Sequence, residues 1–376
     1  MHTPSSLSDT DRAFLDRAIE LGERGWGRVH PNPRVGCVVV SEGRLVGEGW
    51  HEVFGGPHAE TMALAAAGPA ARGSTVYVSL EPCRHEGKTP ACTRALLASG
   101  VSRVVFGAAD PGSASGGGGR ELALAGVNVV GPVLDANQAR RLNPAFHLQR
   151  PDRPWVALKL ATSLDGALAQ APGRRTRLTG SEAGAEVHRL RAGFDGIMVG
   201  GVTASVDDPL LTVRGDVEPR VPPVRIVLDP DASLPSDAAL FRDAAEVPLW
   251  VFVREDVSEA ELERLEAAGA WVHPVPSEKG SPTALNLAHV LRVCREAGLT
   301  ALFCEGGGRL GEALMRAGLV DRVYLFVAPQ VLGASAVPAF PAWPPFGPGR
   351  DGWELVEPTR AFGHDALFTF DHTEEV

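Results

Sequence analysis

Five cysteines spread over 376 residues are too sparse to form a disulfide framework. No apolar run reaches 18 residues, so the hydropathy pattern predicts no membrane-spanning helix. The basic excess of a nucleic-acid binder is missing: 36 Lys and Arg face 46 Asp and Glu, a formal charge of −10. The stretch from Met1 to Arg28 has neither the apolar core nor the small-residue cleavage site of a secretory signal. These absences predict a globular, cytoplasmic chain with no membrane or nucleic-acid partner.

What is present is ample core material. With 44% hydrophobic and 22% charged positions, the chain can bury two or three cores at roughly 100–200 residues per domain. Up to about residue 150 the texture is mixed. Ser8 or Asp9 can cap a helix carrying Phe14, Ala18 and Leu21. Residues 35–40 and 44–49 read as a hairpin, and 59–67 as an alanine-rich helix closed by Gly68-Pro69. A strand at 75–80, a helix at 93–98 and a strand at 101–107 follow. Residues 113–119 (Ser-Ala-Ser-Gly-Gly-Gly-Gly) have no means of holding themselves rigid. The two prolines within 149–154 mark a boundary, predicting domains 1–148 and 152–376. Beyond it, strands at 155–161, 196–199, 224–228, 249–253, 301–304 and 322–327 alternate with helices at 181–192, 258–267, 285–297 and 310–317. That alternation predicts an α/β domain with a largely parallel sheet. Residues 338–348 hold five prolines and read as a rigid surface loop.

Two groups of residues carry chemistry. In the first, His58 and Glu60 stand at a helix start, Cys83 follows a strand, and Cys92 comes nine positions later. One imidazole and two thiolates suit Zn²⁺ and leave its fourth position for water. Glu60, two residues past the histidine, can carry a proton without binding the metal. His-x-Glu followed by Pro-Cys and a second cysteine is the pattern of zinc nucleobase deaminases, here with a longer gap between the sulfurs. A purely structural zinc with His85 as fourth ligand is the alternative. In the second group, Gly306, Gly308 and Gly311 follow a strand and open a helix, where free N–H groups favour a phosphate. Asp321 comes too early for the acidic residue of a Rossmann fingerprint, so a different phosphate loop is expected.

The runs His30-Pro31-Asn32-Pro33-Arg34-Val35-Gly36-Cys37, Gly47-Glu48-Gly49-Trp50-His51, Pro57-His58-Ala59-Glu60 and Glu81-Pro82-Cys83-Arg84-His85-Glu86-Gly87-Lys88-Thr89-Pro90-Ala91-Cys92 resemble the bifunctional riboflavin-biosynthesis deaminase–reductase family. So do Lys159–Gly166 and Val199–Arg214, with Gly318-Leu319-Val320-Asp321 and Ala328-Pro329. The resemblance implies an N-terminal cytidine-deaminase-like three-layer α/β/α domain and a C-terminal dihydrofolate-reductase-like domain. It implies zinc held by His58, Cys83 and Cys92, with Glu60 as the proton carrier. The first substrate would be 2,5-diamino-6-ribosylamino-4(3H)-pyrimidinone 5′-phosphate, met by Asn32, His85, Lys88 and Thr89. NADPH would then reduce the ribose of the deaminated product. Ala161, Thr203, Asp207 and Gly307, Gly308, Arg309, Leu310 and Gly311 would line its site, with Leu211, Arg214 and Glu305 toward substrate. Asp165 or Glu305 would stabilise an iminium-like cation, and Lys159 would pair with phosphate; for Asp165 a turn role before Gly166 stands beside this. The partners implied are small pyrimidine ribose phosphates, with self-association of the chain.

The sequence also departs from the family. Arg175-Thr176-Arg177-Leu178-Thr179 stands where the family writes Ser-x-Trp-Ile-Thr, and Gly184 where it carries a substrate-contacting arginine. Asp110-Pro111-Gly112-Ser113 replaces Asp-Pro-Asn-Pro. An active deaminase joined to an impaired reductase is the second expectation, and a zinc-stabilised scaffold without catalysis the third.

Overall fold

The computed structural model describes residues 7–87, 90–148 and 150–373, and divides at Leu148/Gln149 into two compact units. In the first unit, Ser8 caps helix α1 (Asp9–Gly22) through the Asp11 N–H. A hairpin follows, β1 (Gly36–Ser41) and β2 (Arg44–Trp50), then α2 (Ala59–Ala67), β3 (Thr75–Leu80), α3 (Cys92–Ser99) and β4 (Arg103–Ala108). The unit closes with α4 (Gly118–Leu124), β5 (Asn128–Val130), α5 (Ala136–Leu142) and α6 (Pro144–Leu148). The sheet order is β2-β1-β3-β4-β5, with β3, β4 and β5 parallel.

Side-chain alternation splits this sheet into two faces. Cys37, Val39, Val76, Val78, Val104 and Phe106 face a core shared with α2, α3 and α4. Val38, Val40, Tyr77 and Val105 face α1 through Leu15 and Leu21. Three layers result. Alanines and glycines let α2 lie close on β2: a Cβ at Gly49 would sit 2.5 Å from the Ala63 nitrogen. Asp11, held by Tyr77 Oη at 2.7 Å and by Arg103 through two N–H bonds, ties α1 to the sheet.

The second unit runs β6 (Trp155–Ser163), β7 (Ala167–Ala169), α7 (Ser181–Arg191), β8 (Gly196–Gly200), α8 (Gly201–Asp207), β9 (Val224–Leu228) and β10 (Leu249–Arg254). It continues α9 (Glu259–Ala267), β11 (Trp271–Val275), a small hairpin of β12 (Ser277–Glu278) and β13 (Ser281–Leu285), α10 (Leu287–Glu296), β14 (Ala301–Cys304) and α11 (Gly308–Arg316). It ends with β15 (Arg322–Ala328), β16 (Val337–Pro338) paired to β7, β17 (Trp353–Phe362) and β18 (Asp365–His372). The sheet order is β11-β10-β9-β8-β14-β6-β15-β18-β17. From β11 to β15 all pairs are parallel, and the last two strands are antiparallel.

Two features of the sequence reading need correction. The glycine-rich run 113–119 ends inside a helix, α4, because Gly118 and Gly119 already lie in its first turn. The proline-rich run 338–348 is not wholly a surface loop: Trp343 and Phe346 pack on the core, and Trp343 Nε1 donates to the Gly308 carbonyl at 3.2 Å. Asp321 is a buried anchor that accepts two N–H bonds from Arg153, at 2.6 and 2.8 Å, and one from Val156 at 2.8 Å.

Candidate active sites

Two helix starts and one strand end build the first site. His58 occupies the cap position of α2 with extended backbone (φ −76°, ψ 160°), and Glu60 sits in the first turn, 3% exposed. β3 delivers Glu81-Pro82-Cys83, and Cys92 is the first residue of α3, fully buried. His58 Nδ1 lies 3.2 Å from Cys92 Sγ and 3.5 Å from Cys83 Sγ. Three ligand atoms of these residues gather within 4.8 Å of one another, the only such group of three or more among the described residues.

Ligands on a tetrahedron with Zn–N near ~2.0 Å and Zn–S near ~2.3 Å stand about 3.5 Å apart, so this donor set fits zinc. His85 lies outside the cluster and lines the cavity beside it. The first turns of α2 and α3 place partial positive charge near the sulfurs, which favours thiolate. The hydrogen bond from Cys92 is the largest influence on the Cys83 thiol and pulls it well below its ordinary value, against burial. Burial pushes the Glu60 carboxyl up, with the nearby imidazole opposing. An unligated, protonatable carboxyl therefore stands beside the donors.

A cavity of about 360 Å³ opens over these groups, lined by Asn32, His51, His58, Glu60, Cys83 and His85. His51 was quoted only as part of a motif, yet it sets the face of Asn32. Its Nδ1 lies 3.0 Å from the Pro57 carbonyl and therefore carries the hydrogen, leaving Nε2 to accept from Asn32 Nδ2 at 3.1 Å. Burial lowers the His51 pKa and keeps this neutral tautomer. Asn32 retains Oδ1 and one N–H for a ligand. Glu81, Asp110, Ser115 and Phe146 also line the cavity and were not singled out from sequence. Lys88 and Thr89 lie outside the described residues.

The second site spreads along the C-terminal ends of β6, β8 and β14, which are adjacent in the sheet. Lys159 and Ala161 lie on β6. Gly200 leads into α8 with Thr203 and Asp207, and Glu305 leads through Gly306 and Gly307 into α11, which carries Gly308, Arg309, Leu310 and Gly311. The two turns approach each other: a Cβ at Gly307 would be 3.2 Å from Thr203 Oγ1. Glu305 is held by Arg191, Nε to Oε1 at 2.5 Å and Nη2 to Oε2 at 3.0 Å. That guanidinium keeps the Glu305 carboxyl ionised although burial acts against it. Burial lowers Lys159.

Arg191 was absent from the sequence reading. The available signal was a charged residue on the apolar stripe of α7, beside Ala183, Val187 and Leu190. Leu211 has its side chain in the core and a positive φ of 51°, so only its main chain is open to a ligand. Arg214 is exposed, its N–H donating to His188 Nδ1 at 3.2 Å. The Asp165 carboxylate accepts from Ser163 Oγ at 2.5 Å and from the Leu332 and Gly333 N–H groups, as a turn anchor does. Arg175 and Arg177 are exposed, Arg175 Nη1 donating to the Asp207 carbonyl at 3.4 Å. A Cβ at Gly184 would meet nothing within 4 Å.

Comparison with known proteins gives matching results for both regions. Residues 8–108 match the family described as the cytidine and deoxycytidylate deaminase zinc-binding region, and residues 154–345 match the RibD C-terminal domain. The riboflavin biosynthesis protein RibD of Aquifex aeolicus is 39% identical over 329 residues, 87% of this chain and 89% of that protein. The Escherichia coli RibD is 36% identical over 339 residues, at the same two coverages. Among solved structures, Acinetobacter baumannii RibD superposes with a TM-score of 0.78 at 32% identity, covering 97% of this chain and 99% of that one. A Thermotoga maritima diaminohydroxyphosphoribosylaminopyrimidine deaminase/5-amino-6-(5-phosphoribosylamino)uracil reductase gives 0.76 at 30% identity, covering 96% and 99%.

Proposed function

Because the chain belongs to the RibD family of riboflavin biosynthesis proteins, we propose that it carries out two consecutive steps on one pyrimidine ribose phosphate. Residues 1–148 hydrolytically deaminate 2,5-diamino-6-ribosylamino-4(3H)-pyrimidinone 5′-phosphate. Residues 152–376 then use NADPH to reduce the ribose of 5-amino-6-(5-phosphoribosylamino)uracil to a ribityl chain. The observation that carries the reading is the convergence of His58, Cys83 and Cys92 beside an unligated Glu60 on the wall of a cavity that Asn32 also lines.

Zinc, when bound, supplies the acidity that makes water a nucleophile near neutral pH. His58, Cys83 and Cys92 hold it. Glu60, unligated beside the donors, takes the proton from the attacking water and gives it to the departing ammonia. Asn32, oriented by His51, reads the pyrimidinone edge with one donor and one acceptor. His85 on the cavity wall is assigned to the ribose phosphate, and Lys88 and Thr89 are given the same role by the resemblance.

NADPH, when bound, supplies the hydride. In the second unit Ala161, Thr203, Asp207 and the 307–311 turn position it. Glu305, kept anionic by Arg191, stabilises the cation that develops on the opened ribosylamine. Lys159 and Arg214 meet phosphate, with the Leu211 main chain beside them. Asp165 serves the turn. A reductase of reduced substrate affinity is the second reading, and Gly184 favours it, since it brings no guanidinium where the family carries arginine.

Five free cysteines fit a reducing compartment, and we assign the protein to the cytoplasm. No helix among the described residues is long and apolar enough to cross a membrane. Self-association through the sheet edges β11 and β17 belongs to the same reading. The test is one assay with the diaminopyrimidine phosphate that follows ammonia and NADPH absorbance together. Release of ammonia followed by NADPH oxidation supports the reading, and no ammonia from zinc-loaded protein sinks it.

A further inference from the structure

One wall of the deaminase cavity is made from a glycine-rich segment that few hydrogen bonds of its own hold in shape. The run from Asp110 to Gly119 contains five glycines and two serines, yet it supplies two residues of the lining, Asp110 and Ser115. Within it, Asp110 Oδ1 accepts the Gly112 N–H at 2.8 Å and the Gly112 carbonyl accepts the Gly116 N–H at 2.8 Å; what fixes the run to the rest of the unit comes from outside. Glu81 Oε2 accepts the N–H of Asp110 at 3.2 Å, and Oε1 accepts the N–H of Gly119 at 3.0 Å, so one carboxylate clasps both ends of the run. Between those ends, the Arg84 N–H donates to the Ser115 carbonyl at 3.1 Å and Arg84 Nη2 to the Ser113 carbonyl at 3.2 Å. Gly118 presses onto the same segment, since a Cβ there would lie 1.8 Å from the Pro82 carbonyl oxygen. Every one of these partners belongs to Glu81–Arg84, the stretch that carries Cys83. Both carboxylate oxygens of Glu81 accept main-chain N–H bonds, one from each end of the run.

We propose that Glu81 is a positioning residue for deamination, fixing the 110–119 wall against the metal-ligand segment and thereby setting affinity for the ribose-phosphate-bearing pyrimidine. This rests on the functional reading above. The clasp does its work before substrate arrives. Without it the glycine–serine run samples many conformations, and apparent affinity falls by the fraction of time in which the wall is formed. The zinc ligands keep their own supports, β3 and the starts of α2 and α3. Loss of the clasp therefore acts on KM and not on kcat.

The test uses zinc-loaded full-length protein carrying Glu81→Ala or Glu81→Gln. The glutamine keeps the shape and one acceptor but turns an N–H toward the other main-chain donor. We expect KM for the diaminopyrimidine phosphate to rise about tenfold in Glu81→Ala and by less in Glu81→Gln, with kcat held within about twofold. Zinc content and NADPH oxidation with the deaminated product stay at wild-type levels. Amide exchange across 110–119 quickens in both variants. A variant that keeps its zinc with wild-type KM and wild-type exchange overturns the proposal, and so does one in which kcat falls while KM holds. If Glu81→Ala loses zinc and reductase activity together, Glu81→Gln decides by the same readouts. A wild-type protein that releases no ammonia sinks the functional reading instead, while the exchange comparison still decides whether Glu81 orders the wall.

Discussion

The two units assemble their reactive groups by different physical means. In the first, the metal ligands and proton carrier span residues 58–92, held at the starts of two helices and the end of one strand. Few long-range contacts are needed, and the donors lie within 4.8 Å of one another. In the second, Lys159 on β6, Thr203 in α8 after β8 and Glu305 after β14 are far apart in sequence and share one region of the unit because β6, β14 and β8 are neighbours in a parallel sheet. One site depends on a compact local motif, the other on crossover topology. Damage to one should leave the other working, and the predictions turn on that independence.

The largest effect is expected from Cys83→Ala. Loss of a thiolate ligand should remove zinc and ammonia release to below detection, while NADPH oxidation with the deaminated product stays within about twofold of wild type. Parallel loss of reduction would show that the units are not independent. Next is Glu60→Gln, which should retain zinc, read by elemental analysis, and lose about 10²–10⁴ in ammonia release.

The reciprocal change is Arg191→Met in the second unit. It strands the Glu305 carboxylate without its partner, at 11% side-chain exposure for both. A loss of about 3–5 kcal/mol in that unit's stability is expected, with reduction lost and ammonia release kept. Denaturant unfolding followed beside both assays checks it.

The metal site was legible in the sequence because the pattern of His58, Glu60, Cys83 and Cys92 carries its own chemistry. The strands at 75–80 and 224–228 were legible because short apolar runs end in clear breakers. What escaped was long-range. The hairpin of β17 and β18 went unread because Pro358 breaks the first strand's pattern and the register shifts between Val356 and Arg360. Helix α4 was hidden behind its own glycines. Arg191 and Glu81 matter through partners 114 residues away and up to 38 residues away, which no spacing rule reveals. The polar lining of the second site was reached only through resemblance.

The smallest effect concerns pH. Burial, with repulsion from Arg140, depresses His147 in α6 to about 4. The unfolded chain takes up a proton on this residue first, near its ordinary ~6.5, so the stability it confers is full above that value and declines as pH falls toward 4. His147→Leu should flatten this acid limb in melts of the full chain, with zinc release marking the first unit. An unchanged slope would assign the acid sensitivity elsewhere.

The most direct test compares zinc-stripped with zinc-loaded protein on the two substrates separately. Stripping should abolish ammonia release from the diaminopyrimidine phosphate, adding zinc back should restore it, and NADPH oxidation with the deaminated uracil should be unaffected throughout. Ammonia release that survives complete removal of zinc, or reduction that disappears with it, would rule out a zinc-dependent deaminase joined to an independent reductase.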